Sequence, residues 1–431
     1  MYQLTYDRVS PLSRPMIFPP SLGLVRKSLF GQEFPGRGAF FAANFLVGDI
    51  QTGIMPLLAV YLLLSEHWKA VAVGEVLAFG GLVTLIAQPI AGSMADQIVS
   101  KRAFFLVLVS LFAAGCFLIC GPNPSFGRIL LSQALVGVAQ AGIVPVLSSV
   151  AMGLVGNGRF ASVMGKAQGT THAGSVFGAA AAIFLTSQSL SVSIFAFYGI
   201  SALAAGLVLL GVPGHKIDPL RAREAEGVDR ICSIRQLFTP SLIFFLSLLF
   251  LFFIANTAML PLAGEKLSGI SSLSSGRVMG ILVLATQGVM IPFSLLAPSI
   301  IRRLGSRFLL SAFFILLFLR GGILFMATSM EGILLGQILD GMVMGVLSVL
   351  LPVLVSEFGK GTGRFNLLQG IAGMVVSAGG SVSQLLSGES MKFWGRDKTF
   401  LLLGGLSLGI WILHLVGNRF GGFAKKGKSE G

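Results

Sequence analysis

The chain has 431 residues, 54% of them hydrophobic and only 11% charged, with a formal net charge of +14 and a mean hydropathy of +0.86. A water-soluble domain carries roughly 25% charged residues, so this composition excludes an ordinary soluble protein and calls for lipid around most side chains. The positive balance does not read as nucleic-acid binding, because Lys and Arg sit in short clusters between long apolar runs and not in a stripe interleaved with aromatics.

In chain order, residues 1–37 hold Pro11, Pro15, Pro19, Pro20 and Pro35 among basic residues, with no apolar core ahead of the first long run. They read as a polar lead and not as a cleavable signal. A hydrocarbon core of about 30 Å needs roughly 20 apolar residues in a helix. Such runs lie near 38–64, 70–92, 103–121, 127–152, 161–187 and 191–212, then near 240–262, 275–298, 308–328, 332–356, 364–387 and 397–417. The expected fold is therefore all-α: twelve transmembrane helices in two six-helix bundles, 38–212 and 240–417. A polar linker at 213–239 joins them, and a basic tail follows at 418–431. Cys116, Cys120 and Cys232 form no paired framework, and the four histidines form no ligand cluster with them. Neither a disulfide scaffold nor a metal site is expected, and no cofactor.

The connections alternate in charge. Of the 31 Lys and Arg, only Lys69, Arg128, Lys266, Arg277, Lys392, Arg396 and Lys398 fall on one side, and Arg320 lies inside a run; the remainder share the side of both termini. The positive-inside rule makes that richer side cytoplasmic, which predicts a multi-pass inner-membrane protein with both ends inside the cell. Trp68 and Trp394 fall at the opposite interface, where amphipathic rings are favoured.

The two bundles repeat one plan. Gly158-Arg159-Phe160 opens the fifth run and Gly363-Arg364-Phe365 the eleventh; at the same spacing Gly165 matches Gly370, Ala167 matches Ala372, and Ala173-Gly174 matches Ala378-Gly379. The fourth and tenth runs share Gln133-x-Leu135-x-Gly137 and Gln337-x-Leu339-x-Gly341. Two related halves with a site between them is a plan of secondary transporters. The loop after the second run, Gly92-Ser-Met-Ala-Asp96-Gln-Ile-Val-Ser-Lys101-Arg102, resembles the Gly-x-Leu-Ala-Asp-Arg-x-Gly-Arg-Lys signature between helices two and three of the major facilitator superfamily. It lacks the Arg after Asp and the inner Gly. A decayed copy runs from Ala297 to Arg307. The stretches NFLVGDIQTG, QILDG and GTGRFN resemble a bacterial branch of that superfamily whose substrates are unassigned.

The resemblance implies a gate. In the superfamily the signature Asp docks at the start of helix eleven when the carrier faces outward, which assigns Gly92, Asp96, Lys101 and Arg102 to one side and the N-terminus around Arg364 to the other. Helix N-termini offer unsatisfied N–H groups and partial positive charge, so Asp96 is expected to bind backbone N–H groups and Arg364. A solvated loop carboxylate is the plainer alternative.

Ionisable groups deep in a span are costly and default to functional candidates. Asp49 lies near the middle of the first run, with Gln51 beside it; it reads as a proton-coupling or substrate carboxylate, or as a packed structural one. His172, at similar depth, suits a proton relay or helix packing. Gln133, Gln140 and Gln337 supply neutral hydrogen-bonding groups. Arg320 and Asp340 are equally far from the turn at residue 330, which puts them at one depth on antiparallel neighbours. A buried ion pair is expected, structural or gating, because either charge alone would be penalised. Asp340 also joins the coupling candidates.

No His-Glu-x-x-His or P-loop is present, and no soluble domain large enough to bind nucleotide. An enzyme and an ATP-driven pump are both set aside. The Gly-Pro-x-x-Gly-Gly signature of drug exporters is missing from the fifth run. The expected activity is proton-coupled efflux of a small solute by a monomeric carrier. Proton-coupled or facilitated uptake of an organic solute or metal chelate is the alternative, and a non-transporting sensor or scaffold is the reading of another class.

Overall fold

The computed structural model describes residues 34–48, 50, 54–121, 124–187, 193–227, 231–273 and 275–419. The polar lead and the basic tail thus fall outside the described residues, apart from their inner margins. Among the described residues every regular element is helical. The first pass is interrupted by a turn at Val47: α1 (Arg37–Leu46) ends there, Gly48 and Ile50 are helical again, and α2 (Ile54–Val60) ends in a π turn over Tyr61–Ser65. Then follow α3 (Ala70–Gln97), α4 (Lys101–Ile119), α5 (Phe126–Val155), α6 (Asn157–Ser187) and α7 (Ser193–Leu209). The linker holds short turns at Gly214–Lys216, Arg221–Arg223 and Ile234–Leu237. The second half comprises α8 (Pro240–Asn256), α9 (Met259–Ile270), α10 (Ser275–Leu304), α11 (Ser306–Met326), α12 (Met330–Gly359) and α13 (Phe365–Arg419).

Eight of these stretches are each long and apolar enough to cross a membrane, with α8 and α9 counted as one. α13 is long enough to cross twice and bends at Gly395, whose φ of 78° is a left-handed conformation that glycine adopts without steric cost. With the broken first pass, α6 and α7 added, the architecture is consistent with twelve passes. The seventh run is longer than its expected 240–262 and carries a break at Thr257–Ala258.

Local chemistry sets the ends. Ser100, Ser125, Thr239 and Ser329 cap α4, α5, α8 and α12 by accepting from the N–H three residues on, a device worth about 1 kcal/mol per helix. Pro240 occupies the first turn of α8, where its missing N–H costs nothing. The signature loop, the linker, Gly305 and residues 360–364 lie at one end of the bundle, called here the linker end.

Packing separates interior from rim. α5 is buried between α3 and α4, and α12 lies against α10. On α3 the side chains of Phe79, Leu82, Ile86, Ile90 and Met94 recur at helical spacing and are exposed, as expected of a lipid-facing stripe. Two seams join the halves, α3 against α13 and α6 against α10. At the first, a Cβ on Gly92 would strike the Asn366 carbonyl, and one on Gly370 would strike the Gln88 carbonyl. Glycine here permits backbone-to-backbone approach.

Candidate functional site

The linker end of the α3–α13 seam is closed by a carboxylate on a helix N-terminus. Asp96 Oδ1 accepts from Asn366 N at 3.0 Å and Asn366 Nδ2 at 2.8 Å, and Oδ2 accepts from Leu367 N at 2.9 Å. Both side chains are buried. The first turn of α13 supplies N–H groups that have no partner within the helix, and its dipole favours the negative charge. Arg364, expected as a partner, instead donates from Nε to the Cys232 carbonyl at 3.3 Å. The side chain that reaches Asp96 is Asn366, two residues further into the helix. Of the basic pair, Lys101 donates to the carbonyls of Ala95 and Ile98 at the end of α3. Arg102 donates to Leu210 O and Val212 O beyond α7, at 3.0 and 2.8 Å. Both thus serve helix C-termini, where cations are favoured.

Further along the seams, each half reaches the other through neutral groups. Gln88 Nε2 on α3 lies 3.2 Å from Ser377 Oγ on α13. On the other seam, His172 Nδ1 is 2.8 Å from Gln287 Oε1 on α10, and its Nε2 is 3.4 Å from Ser348 Oγ on α12. The amide oxygen accepts, so Nδ1 carries the proton and Nε2 is left to meet the hydroxyl. Ser294 donates to the Gly345 carbonyl at 3.0 Å, and Ser348 Oγ lies 2.9 Å from the same carbonyl, so its one proton goes either there or to His172 Nε2.

Around the interruption at Val47, side chains of neighbouring helices reach backbone carbonyls of the first pass. Ser201 on α7 donates to Leu46 O at 2.9 Å, Ser175 on α6 to Gly48 O at 2.8 Å, and Gln140 on α5 to Ile50 O at 2.6 Å. Broken helices are tolerated at membrane depth only where such partners exist. Asp49 and Gln51 lie outside the described residues. Gln133, two turns from Gln140 on α5, is fully buried, and neither end of its amide has a partner among the described residues.

The second half holds a buried charged network. Arg320 Nη1 on α11 lies 2.9 Å from Asp340 Oδ1 on α12 and 2.6 Å from Asn256 Oδ1, while Nη2 is 3.3 Å from Gln337 Oε1. Thr286 Oγ1 adds a contact to Gln337 Oε1 at 3.2 Å. The arginine side chain is 1% exposed and the aspartate 8%. Nearer the opposite end, buried Lys266 meets Asp397 at 2.9 Å and the last carbonyls of α11, those of Leu324 and Phe325.

Asn256, Gln287, Ser348 and Asn366 were not singled out from the sequence. Asn256 did carry a signal, as the one amide in the otherwise apolar run PSLIFFLSLLFLFFIAN. Gln287 sits between Thr286 and Gly288 and has no such contrast, while Ser348 and Asn366 stand between apolar neighbours as single polar residues of a kind that recurs along the spans.

An all-helical body with two halves, membrane-length helices, a broken first pass and polar contacts across both seams is the architecture of a secondary transporter. The comparisons agree. The Major Facilitator Superfamily profile matches residues 40–376, and the chain belongs to that superfamily. It is similar to two proteins of Mycobacterium tuberculosis, from strains CDC 1551 / Oshkosh and ATCC 25618 / H37Rv, each described as an uncharacterized MFS-type transporter. Identity is 30% over 384 residues, covering 86% of this chain and 90% of the relative in both cases. Among solved structures, a mutant of the nucleoside transporter NupG gives a TM-score of 0.64 at 14% identity, covering 88% of this chain and 99% of that one. The human organic anion transporter MFSD10 (TETRAN) gives 0.59 at 16% identity, covering 92% and 100%. The chain is a multi-pass membrane protein and a secondary transporter.

Proposed function

We propose that this transporter exports a small organic solute across the inner membrane by alternating access, coupled to protons, as a monomer with both termini in the cytoplasm. The observation that carries the reading is the pair of cross-half contacts, Asp96 on the first turn of α13 and His172 on Gln287 and Ser348. Rocking of one half against the other must break both. The richer Lys and Arg content of the linker end supports a cytoplasmic assignment of that end. On that assignment the contact at Asp96 is an inner gate in its closed state.

Asp49 is the coupling carboxylate in this reading. It stands between Gly48 and Ile50, whose carbonyls are held by Ser175 and Gln140. His172 and Asp340 are the further titratable groups on the path, and Gln51, Gln133, Gln140 and Gln337 are neutral solute contacts. The Arg320–Asp340 pair is assigned to holding the second half together. The cargo stays at the level of a small organic solute. The substrate classes in the two structural neighbours' names, nucleosides and organic anions, differ from one another, and likeness at 14% and 16% identity carries the fold alone.

The test is reconstitution in liposomes with a pH gradient, followed by a screen of organic cations and neutral amphiphiles while proton flux is recorded. Solute efflux should be matched by proton entry, and Asp49→Asn should abolish proton-driven flux while leaving solute exchange. Solute movement with no accompanying proton flux would overturn the coupling. Movement only in the direction of uptake would overturn the polarity.

A further inference from the structure

The linker between the halves is long enough to be a slack tether, yet it is built into the seam. The Ala222 carbonyl accepts from Ser149 Oγ on α5 and from Asn366 Nδ2 on α13, each at 3.0 Å. A single linker atom therefore holds one donor from each half, and Asn366 is also the residue that binds Asp96. Asn366 Nδ2 lies only 3.2 Å from Ser149 Oγ, so opening this end separates the two donors and strips at least one from Ala222. On both sides of that point the linker grips the machinery again. Asp218 N donates to Gly153 O at 3.1 Å, the Glu224 carbonyl accepts from Gly361 N at 3.0 Å, and Cys232 N donates to Thr362 O at 3.0 Å. Ile217, Ala222 and Ala225 are buried against these helix ends.

We propose that linker residues 217–227 and 231–232 are a moving part of the gate, docked across the ends of α5 and α13 in the closed state and released each time the linker end opens. The proposal rests on the alternating-access reading above, but not on protons or on the identity of the solute. A passive tether would need neither buried side chains nor hydrogen bonds to both halves. The dock also carries its own means of release. Glu224 holds a left-handed backbone at φ 58°, which a non-glycine residue adopts only under constraint. Its Oε1 is buried with no partner among the described residues. Burial pushes its carboxyl up to about 7, against the pull of Lys360 at the end of α12 and with a further push from Glu226.

The experiment uses the full-length protein in nanodiscs, with a reporter cysteine at buried Asn44, which lines a small gap with Ser148, Gln168 and Thr171. Modification of that cysteine by an aqueous maleimide is read by mass spectrometry. In a Thr362→Cys background a short bis-maleimide, one alkene adding each thiol, ties native Cys232 to position 362. Asp96→Asn is the positive control and should raise labelling by about tenfold, the effect of losing a charge-assisted hydrogen bond. Adding the tie between Cys232 and position 362 to Asp96→Asn should return labelling to the wild-type level. Ala222→Leu, which crowds the buried linker against Gly153, should raise labelling severalfold without the Asp96 change. If the tied and untied Asp96→Asn proteins label equally, the linker is only a tether and the proposal fails while the gate stands. If Asp96→Asn itself leaves labelling unchanged, the gate reading fails and the proposal falls with it.

Discussion

The two halves of this transporter follow one plan but invest their buried polar groups differently. In the second half Gln337 and Asp340 on α12 meet Arg320, Asn256 and Thr286 in a network that joins α8, α10, α11 and α12. In the first half the repeat-related positions on α5 are Gln133 and Val136. The carboxylate is absent there, and the glutamine stands without a partner among the described residues. The second half is thus stapled internally by charge. The first offers backbone carbonyls of its interrupted first pass, held by the neutral side chains of Gln140, Ser175 and Ser201. A rocking machine can use such a division, in which one half stays rigid while the other keeps polar groups for a passing solute.

The largest expected effect breaks the staple. Arg320→Met leaves Asp340 buried beside a lost cation and should destabilise the second half by about 3–5 kcal/mol, read as a fall in detergent thermal stability. Because the penalty comes from the unpaired charge, Arg320→Met with Asp340→Leu should recover most of it. Failure of that rescue would mean that the hydrogen bonds to Asn256 and Gln337 dominate.

Next is the seam between the halves. Asp96→Asn keeps the side chain's shape but loses the charge that faces the first turn of α13, at a cost to the closed state of about 1.5–3 kcal/mol. Opening of the linker end, measured by spin-label distances between α3 and α13, should become populated, with little change in thermal stability.

A smaller effect is expected in the linker. With its carboxyl raised to about 7 by burial, Glu224 contributes fully to docking below the ordinary carboxylate range. That contribution is lost as pH rises through neutrality, because only the undocked form then ionises freely. Labelling at the linker end should therefore increase with pH toward 7 and level off above it, and Glu224→Gln should flatten the curve. The smallest change sharpens the comparison directly. Gln133→Leu removes an amide with no described partner, so it should be neutral or stabilising by up to about 1 kcal/mol, whereas Gln337→Leu should destabilise.

Some of the site was legible before the structure. Equal distances from the turn at residue 330 place Arg320 and Asp340 at one depth because antiparallel helices rise equally from a common bend. The cross-seam carboxylate Asp96 was legible through its signature loop. Its partner was not: Arg364 attracts attention as a charge, yet the group within reach is Asn366, and only the angle at which α3 meets α13 selects it. The linker reads as a solvated polar stretch, and nothing in its composition announces that the carbonyl of Ala222 is shared by both halves.

What the sequence by itself determined is what depends on composition and on order along the chain. Apolar runs of membrane length follow from the cost of bare backbone in lipid, and the repeat and the charge asymmetry follow from residue order. What only the tertiary structure decided is which face each helix turns inward. The most apolar stretches of α3 and α5 have the same mean hydropathy of 1.8, yet 17% of the residues of one are buried and 78% of the other. In lipid, outside and inside are both apolar, so hydrophobicity cannot distinguish them. That choice, and with it every cross-half contact from Asp96 to His172, comes from packing small residues and pairing polar atoms between helices far apart in the chain.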